Sequence, residues 1–147
     1  MPLPTKQEIG KVLVTLKVTN RADQIRFNDG AIASDQIRAI ELKDVLIDTG
    51  ATTLCLPSDV INKLGLELLK EVDVTTATGI SKARIFQDAK ILLGDREGTF
   101  ECLELPGDKN ALLGVIPLET LGIEIDLKNQ TLKFLPITST DTYLTIL

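Results

Sequence analysis

Val45-Leu46-Ile47 runs directly into Asp48-Thr49-Gly50-Ala51, so an apolar stretch ends on a carboxylate. Carboxylates are rarely buried without a partner, and an acid in this position either caps a turn or is held where its chemistry is used. Gly50 lets the backbone turn sharply and brings its amide towards the carboxylate, while Thr49 adds a hydroxyl able to bond backbone groups. The plainer reading of the same residues is an Asx-type turn after a strand. The chain has no histidine, which removes Ser-His-Asp and Cys-His arrangements from consideration. Hydrolytic chemistry would then fall to carboxylates, Lys or Tyr. Cys55 and Cys102 form no Cys-x-x-Cys pair, so no metal site and no cofactor is expected, and both thiols read as small core residues.

The elements that must hold this turn can be followed along the chain. Val12, Val14, Leu16 and Val18 alternate with polar neighbours and share one face of a strand. Asn20 to Ser34 is turn-rich, with Asn28-Asp29-Gly30 a loop signal and Ile25-Arg26-Phe27 a short strand; Ile37 to Asp48 reads as one long or bent strand. The segment Asn20 to Asp44 has the character of a surface insertion. Past the turn, Thr52 to Leu56 is extended, and Pro57-Ser58-Asp59 opens a short helix with Ser58 as its cap, Val60, Ile61 and Leu64 on its apolar face and Gly65 as its stop. Lys70 to Ala77 and Ile80 to Phe86 alternate on either side of Thr78-Gly79, which predicts a hairpin with a polar tip. A second hairpin joins Lys90–Leu93 to Thr99–Leu103 across Gly94 to Gly98. Ala111-Leu112-Leu113-Gly114 is a short apolar strand, Pro117 to Leu121 one helical turn closed by Gly122, and Ile123–Leu127 pairs with Thr131–Leu135. Many short strands, two small helices and no βαβ rhythm point to an all-β domain.

A length of 147 residues suits one domain with a real core. Sixteen Lys and Arg against 21 Asp and Glu give a net charge of −5 with no basic run interleaved with aromatics, which argues against a nucleic-acid partner. The first residues lack the basic and apolar regions of a secretory signal, and no apolar run reaches membrane-spanning length. The expectation is a soluble, cytoplasmic protein with no membrane partner.

Taken together, Leu46-Ile47-Asp48-Thr49-Gly50-Ala51, Leu56-Pro57 with its helix, the Thr78-Gly79 hairpin, and Leu112-Leu113-Gly114 with its helical turn resemble the retropepsin family of aspartic proteases, and more closely its bacterial and cellular branch. The resemblance spans about Lys11 to Pro136. It implies a closed or half-open β-barrel of the acid-protease type with two short helices; residues 1–10 ahead of it read as a flexible segment. Residues 137–147 would follow as a tail, available as a dimer-interface strand. It implies that Asp48 is the catalytic carboxylate, supported by Thr49, Gly50 and Ala51. Thr78, Gly79 and Ile80 would belong to a flap closing on substrate, and Leu112, Leu113 and Gly114 would pack under the active-site loop. Such chemistry needs two carboxylates sharing one proton, because two like charges in contact do not both ionise easily. With one Asp-Thr-Gly per chain, the implied unit is a homodimer acting as an endopeptidase on peptides or proteins. The rival reading is a peptide-binding or dimerisation module on the same fold that does not cut.

Overall fold

The computed structural model describes residues 11–107 and 109–136. The expected leading segment over residues 1–10 and the tail over 137–147 lie outside the described residues. Strand β1 (Val12–Asn20) buries Val12, Leu16 and Val18 on its alternating face and pairs antiparallel with β2 (Ala39–Ile47). β2 is the bent strand expected: the register slips between Val14 and Leu16 of β1, and Asp44 opposite that slip has a φ of 57°. The bend turns the last residues of β2, Val45 to Ile47, back into the core with Val45 and Ile47 buried.

The connection between β1 and β2 corrects the sequence reading. Arg21–Asn28 is a helix, α1, where a loop with a short strand at Ile25-Arg26-Phe27 was expected. Asn20 caps it by accepting a hydrogen bond from the Asp23 amide at 3.0 Å, and the Asn20 side chain also donates to the Leu64 carbonyl at 2.8 Å. Asp23 is 2% exposed. Its carboxylate accepts from the Arg38 backbone amide, from Nε and Nη2 of Arg38, and from Arg26 Nη1, at 2.9 to 3.1 Å. A segment that looks like a surface insertion is therefore anchored by a buried, multiply bonded acid. A 3-10 turn at Ser34–Gln36 completes it before β2 begins.

Beyond the Asp48 turn come β3 (Leu54–Pro57) and helix α2 (Ser58–Leu64), which buries Val60, Ile61 and Leu64 and ends at Gly65 with a φ of 62°. Ser58 is not the cap. Pro57 occupies that position without a side-chain bond, and Ser58 begins the helix with its hydroxyl donating to the Leu105 carbonyl at 3.4 Å. Next, β4 (Leu68–Thr76), β5 (Gly79–Leu93) and β6 (Arg96–Leu105) form two antiparallel hairpins. β5 runs unbroken through both hairpins, where two separate strands were expected. A bulge at Gln87-Asp88, with Asp88 at a φ of 65°, absorbs the polar interruption without ending the strand.

The chain closes with β7 (Leu112–Leu113), helix α3 (Val115–Leu121) and the hairpin β8 (Ile123–Asp126) and β9 (Thr131–Phe134). The main sheet has the order β1-β2-β7-β3-β6-β5-β4, with β1 also pairing with β5, so the hydrogen-bonded order returns to its first strand. Pairs β2–β7 and β3–β6 are parallel and the rest antiparallel. This is a mixed β-sheet fold carrying three α-helices, one more than the sequence suggested. Leu16, Val18, Val45, Leu54, Leu56, Ile61, Leu64, Ile91 and Leu113 are fully buried in its core, each stabilising the fold by roughly 1.5–3 kcal/mol. Arg96 is also buried, and its guanidinium donates to the Leu121 carbonyl at 2.7 Å and to the Leu135 carbonyl while lying over the Phe134 ring. One cation thus ties the last hairpin to α3 and β6. Among the described residues no helix is long and apolar enough to cross a membrane.

Candidate active site

Asp48 stands where β2 stops pairing with β7. The Leu46 amide donates to the Ala111 carbonyl and the Asp48 amide to the Leu113 carbonyl, both at 3.0 Å, so the backbone carrying the acid is held up to its own amide. The chain then reverses: the Ala51 amide donates to the Asp48 carbonyl at 3.1 Å, and the Gly50 amide donates to Asp48 Oδ1 at 2.8 Å. Glycine also leaves the carboxylate room. A Cβ on Gly50 would lie 3.1 Å from that same Oδ1, tighter than most real contacts. Asp48 is half-buried, and Thr49 and Gly50 are exposed. The carboxylate is therefore oriented by one backbone donor while its second oxygen is left to other partners.

The support comes from β7 and α3. β7 lies between the two arms of the turn, parallel to β2 on one side and antiparallel to β3 on the other, with Leu113 level with both Ile47 and Leu54. Gly114 follows directly under the turn. A Cβ there would come within 2.5 Å of the Thr53 carbonyl oxygen and 2.6 Å of the Ala51 carbonyl oxygen, so no side chain fits without moving backbone. The first amides of α3 then meet the turn's carbonyls, Val115 donating to Ala51 at 3.0 Å and Ile116 to Thr52 at 2.9 Å. Helix-terminal donors and loop acceptors that would otherwise be orphaned satisfy one another. Asp48, Thr49, Gly50, Ala51, Leu112, Leu113 and Gly114 are thus brought into one interlocked unit.

Two features adjoin that unit. Cys55 on β3 is buried, and burial together with the nearby Asp48 charge pushes its thiol up to about 11. Cys102 on β6 is pushed up to about 12, mainly by burial. Both cysteines are free, as expected of small core residues. On the outer side of Thr49 an open groove of about 400 Å³ is lined by Leu118, Ile123, Ile125 and Leu127 among others. The Thr49 hydroxyl has no hydrogen-bond partner among the described residues.

Thr78, Gly79 and Ile80 sit elsewhere, at the tip of the β4–β5 hairpin. Thr76 and Gly79 are paired across a two-residue turn of Ala77 and Thr78, and the Thr76 hydroxyl donates to the Gly79 carbonyl at 2.8 Å. Gly79 has a φ of 126°, a conformation that L side chains rarely adopt. Ile80 is 76% exposed. Among the described residues no hydrogen bond joins this tip to the Asp48 turn. Nor do any three or more His, Cys, Asp or Glu side chains among them gather as a metal site. The polar residues that sequence reasoning missed are Asp23, Arg38 and Arg96. Of these only Asp23 left a signal: Asn20 three residues before it is a helix-start pattern.

Comparison with known proteins places these observations in context. Residues 36–120, more than half of the chain, match the sequence model of the family described as "gag-polyprotein putative aspartyl protease". The matched span runs from the end of the β1–β2 connection through the Asp48 turn, the β4–β5 hairpin and most of α3. Among solved structures, the solution structure of the Simian Foamy Virus (mac) protease aligns with a TM-score of 0.46 at 17% identity, covering 72% of this chain and 90% of that one. No curated protein matches the chain.

Proposed function

The chain belongs to the gag-polyprotein aspartyl protease family, and from that premise we propose that it is a homodimeric aspartic endopeptidase, with Asp48 its catalytic carboxylate. The observation that carries this reading is the Asp48 turn itself: a half-buried carboxylate aimed by the Gly50 amide and braced from below by Gly114. A merely structural Asx turn needs no glycine beneath it and no helix amides capping its far side. The returning strand order, β1 through β5 and back to β1, supports a closed barrel as its frame.

One carboxylate is half of the required chemistry. Two of them in contact share a proton, because double ionisation is costly at that separation. In the dimer the ionised member takes a proton from a water lying between the two, and the water oxygen forms a bond to the scissile carbonyl carbon. The protonated member gives its proton to the carbonyl oxygen. When the resulting diol collapses, the C–N bond breaks, the amine nitrogen takes the dyad's proton, and a diol hydroxyl returns one to the dyad as the carboxyl product forms. No covalent intermediate forms. The exposed Thr49 hydroxyl and the groove beside it supply the face for the second copy. The β4–β5 hairpin acts as the flap, offering strand edges to an extended peptide and excluding water when closed.

The test is cleavage of an unbiased peptide library between acidic and neutral pH by the native protein and by Asp48→Asn. Loss of cleavage by roughly 10²–10⁴-fold or more in the variant, with its thermal unfolding unchanged, supports the assignment. Cleavage that survives the substitution ends it. Peptide binding with no cleavage at any pH would instead make the chain a binding module.

A further inference from the structure

The outer part of the β4–β5 hairpin extends beyond the β5–β6 ladder, and an ion pair at Arg84 ties it to the end of that ladder. β6 ends at Leu105, and its pairing with β5 begins at Ile85 opposite Leu103. From Arg84 outward to Gly79, β5 is paired only with β4, and most side chains there are exposed. Arg84 stands at that boundary. Its Nε donates to Glu104 Oε1 at 2.8 Å and its Nη2 to Glu104 Oε2 at 2.7 Å, a two-pronged bridge from the hairpin to the last turn of β6. On its other side Arg84 is paired across the ladder with Glu71 of β4.

The two ends of this bridge are not equally free. The Glu104 side chain is mostly covered and that of Arg84 about half exposed. Glu104 is level with Leu56 on β3, the strand that leaves the Asp48 turn, and Ser58 at the start of α2 lies beside it. The Arg84 fork, with help from Ser58, holds the Glu104 carboxyl below the usual carboxylate range. The guanidinium also sits 5.2 Å from the centre of the Phe86 ring, and Phe86 belongs to the core. Glu104 is therefore the more deeply held end, and Arg84 the end by which the exposed hairpin is tied to it. A cleft of about 240 Å³ bordered by Glu71, Lys82, Arg84, Glu104 and Pro106 opens beside the bridge. Beyond it the ion pair Lys82–Asp73, with both side chains largely exposed, links β4 to β5 and gives no hold on the body.

We propose that Arg84 and Glu104 are positioning residues, the bidentate bridge being the fulcrum that sets the angle and mobility of the 71–84 hairpin and thereby its capture of peptide. A planar fork fixes orientation as well as distance, which a single-point lysine contact does not. The effect on peptide capture rests on the reading of this hairpin as a flap; the effect on the hairpin's own motion does not.

The experiment uses the full-length protein with Arg84→Glu, Glu104→Arg and the double swap Arg84→Glu/Glu104→Arg. Amide hydrogen exchange is followed across the hairpin and across β6. Each single reversal is expected to speed exchange over residues 72–83 by about 10-fold while β6 residues 97–103 stay protected, and the swap is expected to recover most of that loss. Unchanged exchange in the hairpin, or equal acceleration throughout the chain, overturns the fulcrum. Where the native protein cleaves peptides, the single reversals are expected to raise KM by about 10-fold with kcat little changed, and the swap to lower it again. Faster hairpin exchange with an unchanged KM would overturn the role in peptide capture and the flap reading with it, leaving Asp48 untouched. Absence of cleavage by the native protein would overturn the protease reading, and the exchange data would still decide the fulcrum.

Discussion

Asp23 and Asp48 differ in how many donors each carboxylate receives. Asp48 has one backbone donor and an oxygen to spare, which the proposed proton exchange would need. Asp23 is saturated. The Arg38 guanidinium, above all, pulls its carboxyl down to about 2 from an ordinary 3.8, aided by the Arg38 backbone amide and Arg26. The folded chain therefore binds this proton less readily than the unfolded one. Stability from Asp23 is complete above pH 4 and is lost as pH falls towards about 2. Because Arg38 is half-exposed, the contribution is about 1–2 kcal/mol after screening. Asp23→Asn should flatten the stability curve in that acid window, measured by denaturant unfolding at successive pH values, and Asp23→Ala should cost about 2–3 kcal/mol at neutral pH by leaving the Arg38 amide and guanidinium without their acceptor. A curve that keeps its acid slope in Asp23→Asn would contradict this account. The buried thiols give a second check: with Cys55 and Cys102 protonated and covered, a thiol reagent at neutral pH should label the native protein far more slowly than the unfolded one. Asp48 was legible in the sequence because an apolar run pointed at it. For Asp23 only the helix start with Asn20 was legible; its burial was not, since its main partner lies fifteen residues onward.

Elements were legible where apolar alternation ran unbroken and were misread where a polar tertiary contact overrode it. β1, β2, α2, the β4–β5 hairpin and the closing hairpin follow their patterns closely. α1 does not, because it has little apolar face; its place is fixed by the Asn20 cap and the Asp23–Arg38 bridge. β5 passes straight through Gln87-Asp88 because a bulge lets two residues leave the ladder while Phe86 and Ala89 on either side stay buried. The most demanding junction is that between β7, α3 and the Asp48 turn. Gly114→Ala would drive a methyl into the Ala51 and Thr53 carbonyls, forcing the turn away from α3 and breaking the bonds from Val115 and Ile116. A loss of about 3 kcal/mol is expected, read by chemical denaturation. Any peptide cleavage should fall by more than this stability loss explains, because the displaced turn carries Asp48. A variant as stable and as active as the native protein would show that the junction does not position the acid.

At the scale of the whole molecule, the braced Asp48 turn lies beside an apolar groove that is open among the described residues. Arg96 fastens the β8–β9 hairpin to α3 and β6, so that hairpin forms a rigid wall of the groove next to Thr49 and not a loose end. Leu127 on its connecting turn is 59% exposed and lines the groove. An apolar wall held in place beside the exposed Thr49 suits a second copy, since little ordering entropy remains to be lost on association. If two copies meet there, each Asp48 finds the second carboxylate that the chemistry requires, and activity must depend on concentration. Specific peptide-cleaving activity should rise with protein concentration and level off once the dimer dominates, with sedimentation showing the shift from one mass to twice that mass over the same range. Leu127→Asp places a charge in the groove without disturbing a buried contact, so it should leave thermal unfolding of the monomer nearly unchanged while weakening association by at least about 10-fold. Activity in that variant should return at high concentration, because Asp48 and its turn are intact. A strictly monomeric protein that still cleaves peptides would rule out the shared pair of carboxylates and leave the groove to some other partner.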